Sequence, residues 1–289
     1  MSAKVREALL RRAPGAYGQR TLALYLLVAL HACLTFTSRA PYGVRLQHLS
    51  LLGCLLPDHE LLRLTLSTAL RASFLVGAGL WIAQRWTPWS SWLAVASLTG
   101  FLSLAQDSYY YTQHQVHVVN MLLILYCGWY HLLRDELRAA AQAGTLATRP
   151  LFPAWVHGCA LFYVAFSYST SGWTKLLANG WGWANGAALQ LWVWGADPAV
   201  PHLRELILEH RGLAAALQGA VLLAEAGALL ALTHRFVRLG VGLVLLGFHV
   251  TGELIFGYGF YGNIAALLCV FLLPPKFPAL ASSSPGASA

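Results

Sequence analysis

The sequence predicts an all-α polytopic membrane protein with about eight spanning helices and short interfacial or re-entrant helices between them. Three observations predict it. Of the 289 residues, 57% are apolar and only 10% are charged, against about 25% charged in an ordinary soluble domain. The apolar residues fall in successive stretches of roughly 17–23, long enough to cross a hydrocarbon core of about 30 Å. The net charge of +8 is carried mainly between those stretches, where basic residues set orientation in a membrane rather than bind nucleic acid. Composition alone excludes a disordered chain, a coiled coil and a conventional soluble globule.

A basic N-terminus, 1–19, with Lys4, Arg6, Arg11 and Arg12, precedes the first span at 20–37. No small-residue cleavage site follows that span, so it reads as a retained helix. Further spans are expected near 66–84, 87–106, 114–133, 153–174, 212–233, 236–256 and 259–274. The stretches 42–56 and 184–195 are apolar but short, as in surface or re-entrant segments. One transmembrane domain thus covers 20–275. The Ser/Pro/Gly/Ala-rich end, 276–289, reads as a disordered tail. No internal repeat is visible. Cys33, Cys54, Cys127, Cys159 and Cys269 form no CxxC pair and read as small core residues rather than as a disulfide framework or zinc site.

The short loops decide orientation. The connections at 85–86 and 234–238 are basic, whereas 107–113 and 257–259 contain no Lys or Arg. Both termini are therefore expected in the cytoplasm. Trp86, Trp89 and Trp92 then fall in an inner aromatic belt, and Tyr109, Tyr110 and Tyr111 in an outer one.

Polar groups inside a bilayer are costly and mark functional candidates. Asp107 ends the third span on the outer side, His114 and His117 open the fourth there, and Lys175 ends the fifth. His249 lies 13 residues beyond Phe236 in the seventh span, roughly 20 Å into it at 1.5 Å per residue. Glu253 is one turn further out on the same face. Residues from four helices thus share the outer half of the membrane. Each also has a structural reading. Lys175 can snorkel, His249 can bond a carbonyl, and Glu253 can partner a histidine or Arg71. Asp107 can end a helix, and Glu225, deeper in the sixth span, can serve packing. Arg71, inside the second span, needs a partner. Burial disfavours the charged form of a lysine, so one in an apolar pocket can serve as a general base. A neutral histidine beside it can stabilise an oxyanion. A metal site built from His114 and His117 (i,i+3) with His249 and Glu253 (i,i+4) is a further option. A transporter is disfavoured by the absence of inverted repeats.

Three blocks resemble the vitamin K-dependent gamma-carboxylase and its bacterial relatives, the horizontally transferred transmembrane (HTTM) proteins. The first is Thr112-Gln113-His114-Gln115-Val116-His117, opening an apolar helix. The second is Ser171-Gly172-Trp173-Thr174-Lys175-Leu176 followed by Trp183 and Gly186, similar to the family's small-Gly-x-x-Lys-Leu and Trp-x-x-Gly. The third is Phe248-His249, then Ile255-Phe256-Gly257 to Asn263. The second block is the most specific, although its spacer from Lys175 to Trp183 is longer here by a Gly-Trp. The resemblance spans roughly 20–275.

The resemblance implies a membrane enzyme that oxygenates a lipid hydroquinone, reduced vitamin K or menaquinone, to its epoxide with O2. The lysine at the position of Lys175 is the base, assisted by the histidine at that of His114. His117, His249, Glu253, Asp107 and Trp183 are substrate-pocket candidates. The implied site faces the extracytoplasmic side of a bacterial inner membrane. CO2, and a protein, peptide or other carbon acid as carboxyl acceptor, belong to the second half of the family's chemistry. The family's long lumenal β-rich region has no counterpart after the eighth span, so the resemblance supports the oxygenation half more than the carboxylation half. The alternative is a non-catalytic quinone-binding subunit or anchor for a partner protein.

Overall fold

The structure, a computed structural model, describes residues 7, 9–35, 60–108, 114–195, 200–256 and 259–278, with the side chains at 60, 106–108, 114, 115 and 256 outside the description. The stretch 42–56, Cys54, Tyr109, Tyr110, Tyr111 and the tail from 279 lie outside the described residues.

Among the described residues, each of the eight expected apolar stretches is mostly helical. The chain runs β1 (Arg12–Pro14), α1 (Gly15–Thr35), α2 (Glu60–Ile82), α3 (Trp89–Ser108) and α4 (His114–Leu132). It continues through α5 (Arg134–Gln142), β2 (Pro150–Pro153) and α6 (Ala154–Asn179), then a 3-10 turn (Gly180–Ala184), α7 (Ala187–Trp194), α8 (Pro201–Glu209) and α9 (Arg211–Ala226). A second 3-10 turn (Ala228–Leu232), α10 (Arg235–Phe256) and α11 (Tyr261–Ala266) follow, and α11 runs on as a π-helical segment (Leu267–Leu272).

By length and composition, two helices among the described residues can cross a membrane, Leu61–Ile82 and Arg235–Ile255; only 28% of the residues in each apolar window are buried. Their outward faces are therefore apolar and uncovered, the opposite of a soluble helix. Up to four spans result if each of two bent pairs counts as one: Val116–Leu132 with Arg134–Gln142, bent by 79°, and Pro201–Glu209 with Arg211–Ala226, bent by 100°. Leu75, Val76, Leu243 and Val244 are exposed on these two helices, and exposed Phe162 and Leu223 continue the apolar surface on α6 and α9. The molecule is a helical membrane protein by these criteria. The remaining apolar helices are shortened or diluted by Gly, Ser, Thr and His. Tyr261–Leu272, for example, has only 12 residues, roughly 18 Å of α-helix.

Elements outside the apolar pattern tie the bundle together. α5 turns sharply out of α4, buries Leu137 and Ala140, and carries Asp135 and Glu136 in its first turn, where they complement the helix dipole. β1 pairs antiparallel with β2, Arg12 opposite Pro153 and Ala13 opposite Phe152. This ribbon is the one departure from an all-α description among the described residues. Its hydrogen bonds extend beyond the strands, from Gly15 N to Arg149 O (2.9 Å) and from Ala154 N to Arg11 O (2.8 Å). Arg12 and Glu136 form an ion pair over it. Inside, Tyr17, Phe152, Trp129, Tyr126 and Tyr25 meet in tilted and edge-on contacts with centroids 5.1–5.8 Å apart, the arrangement aromatic quadrupoles favour.

Arg71 finds a partner in Phe101 of α3, its guanidinium 4.7 Å from the ring centroid. Cys33, Cys127 and Cys269 are buried as expected, whereas Cys159 is exposed on α6. That corrects the expectation of a core position for Cys159, which falls on the outward face of its helix.

Candidate functional site

The site begins with a close approach of two helices. Gly172 on α6 lies against the backbone of Glu225 and Ala226 on α9, so near that a Cβ would collide with the Ala226 nitrogen. One turn before it, Ser169 Oγ donates to Ala226 O (3.2 Å) and accepts from Leu229 N (3.1 Å). Ser169 thus bridges the break where α9 stops at Gly227. One turn after Gly172, Lys175 leaves the same face of α6 and forms an ion pair with Glu225. The small-Gly-x-x-Lys spacing therefore has a physical reason: the glycine removes the bulk that would hold lysine and glutamate apart.

Glu225 is more than a packing residue, which corrects the sequence expectation. Its side chain is 5% exposed and that of Lys175 24%. A carboxylate that deep requires a partner, because an isolated buried charge is costly. The 50-residue separation conceals the pairing in the sequence. Trp183 completes the setting, its ring centroid 4.7 Å from Lys175 Nζ. Gln218, buried on α9, donates from Nε2 to Trp183 O (3.0 Å) and fixes that segment. Gly186 then turns the chain with φ +85°, where a Cβ would lie 2.8 Å from Ala215 N and Arg211 O. Both conformation and space demand glycine there.

Beside the pair lies a cavity of about 870 Å³, within the usual size range for small-molecule sites. Its described lining includes Lys175, Glu225, His117, Tyr168, His249 and Asn263, with walls of Val118, Tyr163, Val164, Phe166 and Phe260. The hydroxyls of Ser167, Thr170 and Thr174 donate back to α6 carbonyls at 2.7–3.1 Å. A second polar cluster sits on the wall. Tyr168 Oη is 2.6 Å from His249 Nε2, and Asn263 Nδ2 donates to Tyr168 Oη at 3.0 Å. Asn263 Nδ2 is also 3.4 Å from His249 Nε2. His249 is 5% exposed and Asn263 8%. His249 Nδ1 and Asn263 Oδ1 have no hydrogen-bond partner among the described residues.

The structure thus brings together Lys175, His249, His117 and Trp183 of the expected site residues. Glu253 is turned elsewhere: its carboxylate accepts from Gly259 N (2.6 Å) and Phe260 N (3.1 Å) and pins the turn after α10. Asp107 and His114 stand at the facing ends of α3 and α4, but their side chains lie outside the description. No three His, Cys, Asp or Glu side chains gather around a possible metal position among the described residues. Sequence reasoning did not single out Tyr168, Asn263 or Gln218. Asn263 entered only as the end of the third block, Gln218 is a lone amide in an apolar stretch, and Tyr168 is one of 12 tyrosines.

Fold and site define a helical membrane protein with a polar centre set into an apolar cavity. In comparisons with protein-family models, curated proteins and solved structures, no match to the chain was found.

Proposed function

We propose that this chain is an eight-span inner-membrane enzyme of bacterial type, with both termini cytoplasmic, that oxygenates a lipid hydroquinone at its extracytoplasmic side. The observation that carries this reading is the convergence of Lys175, Glu225, His249 and His117 on one aromatic-walled cavity. Lys175 is the proposed base. Moving one proton from Nζ to the Glu225 carboxylate gives a neutral amine, which accepts the proton of a hydroquinone hydroxyl. The proposed assistant, His114, opens α4 one turn before His117. Hydroquinone and O2 would give the epoxide and one water. Coupled carboxylation of a glutamyl or other carbon acid by CO2 belongs to the same proposal.

Two contacts support the topology independently of charge counting. The β1–β2 ribbon holds residue 12 beside residue 153, which places an even number of spans between them. Arg11 Nη1 donates to Pro278 O (3.3 Å), and its guanidinium lies 5.8 Å from the Phe277 ring centroid, so the two ends of the described chain share one side.

The second reading is a quinone-binding subunit without turnover, favoured by the closed pairing of Lys175 with Glu225 and Trp183. One experiment separates them. Detergent-purified protein is supplied with reduced menaquinone or vitamin K and O2, and epoxide is sought by mass spectrometry in wild type and Lys175→Ala. Epoxide from wild type alone supports the enzyme. Bound quinone without epoxide in either protein supports the subunit, and epoxide at wild-type rate from Lys175→Ala removes the proposed base.

A further inference from the structure

A second, smaller cavity of about 290 Å³ lies between the early turns of α1, the chain leaving α2 and the end of α4. Gln19, Arg20 and Ala23 line it from α1, Ile82 and Gln84 from the end of α2, and Tyr130 from α4. One wall is fixed. Gln84 Nε2 donates to Trp81 O (3.1 Å) and to Tyr130 Oη (3.0 Å), which spends both amide hydrogens. These bonds hold Gln84 at φ +55°, a conformation that residues with a side chain rarely adopt. Trp86, two residues on, stands at φ +56° and is exposed, as is Trp89. Uncovered indole rings at a helix end belong at the headgroup level of a bilayer, so the cavity beside them lies at that depth too.

Arg20 borders this cavity with its guanidinium uncommitted. It is exposed, and neither it nor half-buried Gln19 has a side-chain hydrogen bond or ion pair among the described residues. By contrast, Arg12 is paired with Glu136, Arg134 with Asp135, and Arg235 lies over the Phe236 ring. No acidic side chain among the described residues lines the cavity, so its local charge is positive. A guanidinium fork matches phosphate oxygens two at a time. Past Ala23 the same face of α1 turns apolar, with exposed Leu27 and Leu34 four and eleven residues on. Ile82 across the cavity is exposed as well.

We propose that this cavity is a headgroup site for an anionic phospholipid, with the phosphate held by Arg20 and Gln19 and an acyl chain lying along Leu27 and Leu34. Its volume is at the lower edge for small-molecule sites, enough for a headgroup with the chains outside. Basic pockets between spanning helices take acidic headgroups in this way. A soluble phosphate compound would use the arginine and leave the apolar face uncovered. The inference requires a membrane around the protein. It is independent of the quinone reading and of which end is cytoplasmic.

The test is native mass spectrometry of the full chain in detergent, titrated with dioleoyl phosphatidylglycerol or dioleoyl phosphatidylcholine. Their chains are identical, and choline offsets the phosphate charge in the second, so the ratio of apparent affinities reads the headgroup. Wild type is expected to bind phosphatidylglycerol about fivefold more tightly, the scale of one basic side chain beside an acidic lipid. Arg20→Gln is expected to bind the two lipids alike. Ala23→Trp keeps the arginine and fills the cavity, and it too should lose the ratio. Arg235→Gln, which removes an exposed charge on α10 away from the cavity, should keep it. Diffuse attraction of a basic protein for acidic lipid would lower the ratio equally in both arginine variants and spare Ala23→Trp, which overturns the site. Should Ala23→Trp fail to fold, the comparison of the two arginine variants decides. Equal binding of the two lipids by wild type also overturns it. Displacement of phosphatidylglycerol by glycerol 1-phosphate at equal concentration would replace the lipid with a free phosphate compound and overturn the proposal in that form.

Discussion

Glu225 and Lys175 are each other's reason for being tolerated inside an apolar bundle. Removing one charge strands the other, which costs about 3–5 kcal/mol in a fully buried pair. Lys175 is a quarter exposed, so Glu225→Ala is expected to cost nearer 2 kcal/mol by that scale. The double variant Lys175→Met/Glu225→Met should lose less than the sum of the single changes, because no stranded charge remains. Thermal unfolding of the four proteins in one detergent checks this, and strict additivity would contradict the pairing. The sequence makes Lys175 and His249 visible because ionisable residues in apolar stretches are rare. Their partners were less legible. Glu225 meets Lys175 only through the register of two helices, and no spacing rule links Tyr168 on α6 to His249 on α10 and Asn263 on α11.

Helix register is set by glycine at two positions, and each gives a prediction. Gly172→Leu would force α6 away from the α9 backbone at Ala226. Overpacking of this kind costs roughly 1–3 kcal/mol, and here it should also part Lys175 from Glu225. Impaired ligand binding alongside lowered thermal stability is the expected result, whereas Gly158→Leu on the same helix, with open space around it, should change neither. Gly186→Ala combines a strained φ of +85° with a Cβ 2.8 Å from two backbone atoms. It is expected to destabilise by about 1–2 kcal/mol. Gly195→Ala is the control, since nothing approaches its Cβ within 3.8 Å. Element positions were largely legible because apolar stretches of membrane length admit little but helix. The β1–β2 ribbon was not legible. Its strands are three and four residues long, too short for an alternating pattern to register. The break after Ala226 was hidden likewise, since Gly227 sits within an apolar stretch interrupted only by Glu225.

At the scale of the whole molecule, the ribbon and the Arg11–Pro278 contact require the N-terminal segment, the 134–153 connection and the end of the described chain to share a side. The proposed topology makes that side cytoplasmic. Single cysteines introduced at His234 and at Trp181, both exposed, in a background lacking the native cysteines, test it in intact cells. A membrane-impermeant thiol reagent added outside should label the Trp181→Cys protein and spare the His234→Cys protein until the cells are opened. The reverse pattern would invert the molecule and move the cavity's assigned side with it.

The ribbon also imposes an order on biosynthesis. Arg12 can meet Pro153 only after more than half of the 289-residue chain has left the ribosome. Until then the amides of Gly15 and Ala16 lack the carbonyls of Arg149 and Ala147 that later receive them. The first helix must therefore hold its place by its own affinity for the bilayer while the next helices are inserted. The chain's beginning is among the last parts of this region to be fastened, and a product halted before residue 147 leaves its entrance open to the cell's quality-control machinery.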